Sequence, residues 1–139
     1  MFKKLLSTKP LFDFEDISLL LLRLTFGGLM ILNHGLKKWD KLMAGGEIKF
    51  GDPLGVGAEL SLQLTVFGEV ICSLLLIFGL LTRFAAIPAI ITMLVAAFIV
   101  HGSDPFGDKE MALLYLIPYV ILFVKGGGKY SVDNYIFKK

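Results

Sequence analysis

Four stretches of the chain are almost wholly apolar, and charged or turn-forming residues bracket each one: Ile17 to Gly35, Leu60 to Leu81, Phe84 to Val100 and Met111 to Val124. Crossing a bilayer as a helix takes ~20 mainly apolar residues, so each stretch is predicted to be a transmembrane helix. The fourth is short for this role. Either Lys109, Glu110 and Lys125 are drawn towards the headgroups or the bilayer thins around them. Only a short turn at Thr82 and Arg83 parts the second and third runs, so these two helices are expected to be antiparallel neighbours. The fold class this predicts is all-α: one integral membrane domain of four transmembrane helices in an up-down-up-down bundle.

The stretch Leu60 to Arg83, LSLQLTVFGEVICSLLLIFGLLTR, organises the rest because it carries an acid, Glu69, near its middle. A carboxylate at mid-bilayer costs about 2.5–3.5 kcal/mol on insertion scales, whereas a Leu, Ile or Phe returns only about 0.3–0.6. Glu69 is therefore expected to face polar company on another helix. Gly68 makes room beside it, and Cys72, one turn on, reads as an inert small hydrophobe.

In the first run Arg23, Gly27, Met30 and His34 recur at helical spacing, so they share one face, which should look inward. The connection Leu36 to Glu59 begins with Leu36, Trp39, Leu42 and Met43 at the same spacing, predicting an interfacial helix with Trp39 at headgroup depth. It continues as GGEIKFGDPLGVG, read as a flexible loop, since it has no GxxxxGK and no preceding strand. Asp16 or Ser18 is available to cap the first helix. Ala85, Ala89, Thr92 and Ala96 form a small-residue packing stripe on the third. Pro118 should kink the fourth and release the Leu114 carbonyl. The segment Met1 to Asp16, with Lys3, Lys4 and Lys9, reads as a juxtamembrane piece or a disordered tail, and 126–139 as a cytoplasmic tail.

Composition agrees with a lipid solvent: hydrophobic residues make up 55% of the 139, charged residues only 19%, and mean hydropathy is +0.74. A soluble domain of this size has too little interior to hide that much apolar surface. The net charge of +2 is mild, and the lysines sit at the ends of apolar runs, which excludes a nucleic-acid binder. Cys72 is the only cysteine, so no intrachain disulfide, CxxC pair or thiolate-rich metal site is available. Lys3, Lys4, Lys9, Arg83, Lys125, Lys129, Lys138 and Lys139 make one side of the membrane the more basic, placing both termini in the cytoplasm. The start of the chain lacks a signal peptide's long apolar core and cleavage site, so the first helix should act as its own insertion signal.

This topology brings candidate chemistry together. His34 ends helix one, His101 ends helix three and Glu110 opens helix four, all at the outer boundary, with Glu69 below them and Arg23 roughly 9 Å deeper. One reading is structural: Arg23 and Glu69 form a buried ion pair that fixes helix one against helix two. A second is a polar pocket of Glu69, His34, His101 and Glu110 that binds a quinone headgroup or exchanges protons. A third places a haem between His34 and His101. A carboxylate and histidine metal site is a fourth, and no metal is assigned.

The residues Arg23, Gly27 and His34-Gly35-Leu36-Lys37, then Gly68-Glu69, Gly79-Leu80-Leu81-Thr82-Arg83, Glu110 and the closing GGGKYSVD at Gly126 to Asp133 resemble the DoxX family of bacterial membrane proteins in order and spacing. The resemblance implies a four-helix bundle in the bacterial cytoplasmic membrane. It also implies a link to redox work, since relatives include subunits of quinone-linked sulfur oxidoreductases. With no cysteine pair, a thiol relay is not supported, and electron transfer would need a bound quinone, a haem or a redox partner protein. The expected function is therefore a quinone-interacting or non-catalytic subunit of a membrane redox assembly. The alternatives are a small proton-coupled transporter and a membrane scaffold. The expected partners are the lipid bilayer, redox proteins and a second copy of the chain.

Overall fold

The computed structural model of the chain describes residues 14–138, and the described residues form helices and connecting turns without a strand. The long helices are α1 (Glu15–Met43), α2 (Ala58–Phe78) and α3 (Thr82–Val100), each apolar and long enough to cross a membrane. Then come α4 (Phe106–Lys125) and a short α5 (Val132–Phe137). The N-terminal segment with Lys3, Lys4 and Lys9 lies outside the described residues.

Helices α1 and α2 run antiparallel, as cross-contacts at both ends show. Arg23 near the start of α1 meets Ile77 near the end of α2, while Lys38 near the end of α1 meets Glu69 in mid-α2. Arg83 at the start of α3 donates to the Val124 carbonyl at the end of α4. Ala85, Ala86, Ala89, Met93 and Ala97 of α3 share a core with Tyr115, Tyr119 and Leu122 of α4, so the small residues on α3 do pack helix against helix. Leu21, Leu32, Phe78, Phe84, Phe98 and Ile117 point outward and exposed, a surface that only hydrocarbon solvates without penalty.

Several boundaries differ from expectation. α1 does not stop at Gly35 but continues to Met43, so the expected interfacial helix is the last two turns of α1. It starts at Glu15, and Asp16 sits inside the first turn, where its carboxylate accepts the Lys129 amide at 2.7 Å instead of capping the helix. α4 begins at Phe106, ahead of the apolar run, and continues through Pro118.

The loop after α1 is folded down rather than loose. Ile48 and Phe50 pack with Leu42 on Leu62, Val66 and Val70 of α2. Asp52 ties the loop to the start of α2, accepting from Val56 N at 2.9 Å, Gly57 N at 2.8 Å and Ser61 Oγ at 2.8 Å. The Ser61 hydroxyl and these amides hold the Asp52 carboxyl below its ordinary range. A carboxyl depressed on folding stabilises at pH values above its unfolded pKa and stops doing so as pH falls through the folded one. Hydrogen-exchange protection of the Val56 and Gly57 amides is thus expected to persist at pH 5 and to fall only below the ordinary Asp value of ~3.9. Asp52→Ala should remove it at every pH.

The opposite end of the bundle is closed by the tail. Helix α2 ends in a Schellman turn, with Leu80 N bonded to Leu75 O at 2.9 Å, Gly79 N to Leu76 O at 3.1 Å, and Gly79 at φ 66°. Thr82, which opens α3, has no capping side chain of its own. Asp133 supplies the cap from the tail: its Oδ1 accepts Leu81 N at 2.6 Å, its Oδ2 accepts Thr82 N at 2.8 Å, and its own amide donates to Gly79 O at 2.9 Å. Asp133→Ala is expected to cost about 1–2 kcal/mol, read as a lower thermal midpoint in detergent, while Asp133→Asn keeps part of it.

Candidate functional site

Helices α1, α2 and α3 each contain one π turn, at Ile31–Gly35, Phe67–Ile71 and Ala96–Val100. Such a turn inserts a residue, widens the helix and re-aims the side chains that follow, and it is found often at functional sites. Here the three carry or adjoin the same groups: His34 lies in the first, Glu69 in the second, and His101 follows the third. The first two are in contact because position 35 is glycine. A Cβ there would stand 2.6 Å from Val70 Cγ2 and 3.3 Å from the Glu69 carbonyl.

Glu69 is 5% exposed and is gripped by Lys38, whose Nζ donates to Oε1 at 2.8 Å and to Oε2 at 2.6 Å. Both carboxylate oxygens are used, the arrangement in which a buried charge is best compensated. His34, half-buried, sets its ring edge-on against Tyr115 of α4, with centroids 5.5 Å apart at 86°. Tyr115 is in turn edge-on to Phe26 and tilted against Tyr119, whose hydroxyl lies beside Ser73 deeper in the bundle. His101 Nδ1 is 2.9 Å from Asp104 Oδ2.

Of these groups, His34, Lys38, Glu69, His101 and Tyr115 line a cavity of about 260 Å³. His34, Lys38, Glu69, His101 and Asp108 are its polar lining, and Met30, Met93, Ala96, Met111, Ala112 and Tyr115 supply the apolar remainder. Of the residues singled out from sequence, the structure brings His34, Glu69 and His101 together. Glu110 is exposed and is not among the lining residues; Asp108 occupies the place expected for it.

The expected Arg23–Glu69 ion pair is not formed. Arg23 is fully buried at the other end of the bundle, where Nη1 donates to Ile77 O at 3.3 Å and Nη2 to Tyr130 O at 2.6 Å. The separation in depth along α1 is the reason: Glu69 is level with Gly35, three turns beyond Arg23, and a lysine one turn past His34 reaches it first. A first helix that ends at Gly35 leaves Lys38 outside the bundle, which is why the sequence reading does not include it. Its signal in the chain is its place four residues after His34, which extends the inward stripe. Cys72 is buried in the apolar core, and among the described residues no group of three or more His, Cys, Asp and Glu is arranged to hold a metal ion.

A chain built of membrane-length helices, with a buried acid and base beside an internal cavity, is an integral membrane protein of the all-helical class. Residues 18–102 match the DoxX family model, and the chain belongs to that family. The matched region takes in Arg23, His34, Lys38, Glu69 and His101. An uncharacterized protein of Haemophilus influenzae is 33% identical over 131 residues, covering 89% of this chain and 86% of the relative. "Putative oxidoreductase CatD" of Bacillus subtilis is 29% identical over 124 residues, covering 88% of this chain and 90% of its own length. An uncharacterized membrane protein of Mycobacterium tuberculosis is 29% identical over 129 residues, covering 81% of this chain and 77% of the relative. No solved structure matches the chain.

Proposed function

We propose that this protein is a quinone-binding subunit of a redox assembly in the bacterial cytoplasmic membrane, with α4 as a fourth span and both chain ends on the cytoplasmic side. The observation that carries the proposal is the Lys38–Glu69 pair on the wall of the His34 cavity. A quinone ring is flat and apolar with an oxygen at each end, and the cavity has apolar walls of Met and Tyr between two polar groups. Lys38 Nζ and the ring N–H of His34 or His101 are donors for the carbonyl oxygens. Glu69 is an acceptor for a hydroxyl proton once Lys38 turns to the ligand. A single cysteine provides no dithiol, so electrons would come from a redox partner protein, in keeping with the oxidoreductase name carried by one relative.

The test is to purify the full chain in mild detergent, extract it for quinone and titrate it with a short-chain quinone. Bound quinone and saturable binding are expected. Glu69→Gln should weaken binding about 10- to 100-fold, the worth of one charge-assisted hydrogen bond. The absence of both co-purifying quinone and titratable binding in well-folded protein would remove the proposal. The second reading, a proton-coupled carrier, is favoured by the Ser73 and Tyr119 hydroxyls, which are buried without a hydrogen-bond partner among the described residues. It requires a pH-dependent flux in liposomes that Glu69→Gln abolishes.

A further inference from the structure

The His34 cavity does not end at Glu69. Beyond the Lys38–Glu69 pair lies a second cavity of about 290 Å³, which shares Lys38, Glu69, Ala96 and His101 with the first. It shares Pro53, Thr65, Thr92 and Val95 with a third, about 280 Å³, that opens as a groove between α2 and α3. The three abut in series. Their shared lining residues trace a path from the outer face of the α2–α3 seam to the buried acid.

The chemistry changes along it. At the mouth stand Leu64, Phe67 and Ile91, all exposed on helices long and apolar enough to lie in lipid. Midway, the two hydroxyls on the walls are already engaged: Thr65 Oγ1 donates to Ser61 O at 2.8 Å and Thr92 Oγ1 to Pro88 O at 2.8 Å. They present no free donor, so the wall suits hydrocarbon. At the far end are Lys38, Glu69 and His101. Residues 50–54 roof the route, with Phe50 and Pro53 over the middle and Leu54 over the mouth, and the Asp52 hydrogen bonds hold that roof in place. At Gly68 the seam is closed, for Thr92 and the Pro88 carbonyl press against α2 where a side chain would stand.

We infer that the α2–α3 groove is the lateral entrance and tail site for an amphipathic, lipid-dissolved ligand whose polar head stops at the Lys38–Glu69 pair. This deepens the quinone reading and rests on it for the head. What it adds is the ligand class, a ring-sized head carrying a long alkyl or isoprenoid chain, and the side from which it arrives. A water-borne ligand has no use for a lipophilic groove that opens on the apolar flank.

The experiment uses the full chain in nanodiscs and two probes of one headgroup: a methyl-substituted benzoquinone without a tail, and a decyl-tailed analogue with a diazirine at the end of the tail. Both should bind, and photolysis should label peptides containing Leu64 to Phe67 or Ile91 to Val95. Leu64→Trp, which fills the mouth from an exposed position, should weaken the tailed probe at least tenfold and leave the tail-less one unchanged. Ile91→Trp, at the exposed mouth on the other helix, is a second plug, should the first perturb folding. If both probes bind but the label falls on Asp108 to Ala112, or if neither plug discriminates between the probes, the lateral route is overturned and the head site stands. If neither binds to protein of normal helicity, the route and the head site are overturned together.

Discussion

Replacing Lys38 with methionine is expected to destabilise the protein by about 2–3 kcal/mol, seen as a lower thermal midpoint in detergent. Removing one partner of a fully buried ion pair costs roughly 3–5 kcal/mol because the other charge is stranded. The lower figure applies here because the Lys38 side chain keeps 27% of its accessible surface whereas Glu69 keeps 7%. The same asymmetry orders the variants. Glu69→Met leaves an ammonium that can turn to water, so it should cost less, about 1 kcal/mol. The double variant Lys38→Met/Glu69→Met should recover most of the loss, since an apolar pair of similar volume is often as stable as a buried ion pair. Equal and additive losses from the two single variants would show that the side chains are not coupled, and the site would lose its centre.

Arg23→Leu should be the more damaging change for the architecture, at roughly 3 kcal/mol. Two carbonyls, Ile77 O and Tyr130 O, lose their charged donor, and an unsatisfied buried acceptor costs about 1–3 kcal/mol. The guanidinium bridges α2 to the tail, so the expected signature is local as well as global. Limited proteolysis should cut within 126–138 well before the four long helices, and the Asp133 cap on α3 should be released with the tail. Arg23→Lys keeps the charge but not the fork that reaches two carbonyls on different segments, and it should recover only part of the loss. Wild-type protection of the tail in Arg23→Leu would mean that Gly79, Ser131 and Asp133 hold it unaided.

Both variants concern charges that stand out in the sequence, and the two differ in how much of their surroundings could be read there. Glu69 in an apolar run demands a polar neighbour, and Arg23 at an inward position demands acceptors. Those demands follow from the price of a charge in hydrocarbon and need no coordinates. Which group answers is another matter. Opposite charges on adjacent helices invite pairing on paper, but a helix rises about 1.5 Å per residue, and three turns along α1 put the two out of reach. The Lys38 solution depended on α1 running through Gly35, a residue that normally weakens a helix. It does so because the π turn of α2 packs against that bare backbone. No local propensity contains that information.

The tail makes the same point differently. The GLLTR turn and the GGGKYSVD ending are conspicuous in the chain, yet their relation is spatial: Asp133 caps the helix that Thr82 opens, and Arg23 clamps Tyr130 above it. By itself the sequence determined that the protein is helical and lipid-solvated and that Glu69, Arg23, Gly27 and Met30 turn inward. Hydrophobic periodicity and the cost of buried charge act through each residue's own transfer free energy. Tertiary structure alone decided who meets whom, with Lys38 on Glu69, carbonyls on Arg23, Asp108 rather than Glu110 at the cavity, and a groove between α2 and α3. Partner choice depends on helix register and on backbone approach at glycines, quantities that belong to pairs of segments and to no single one.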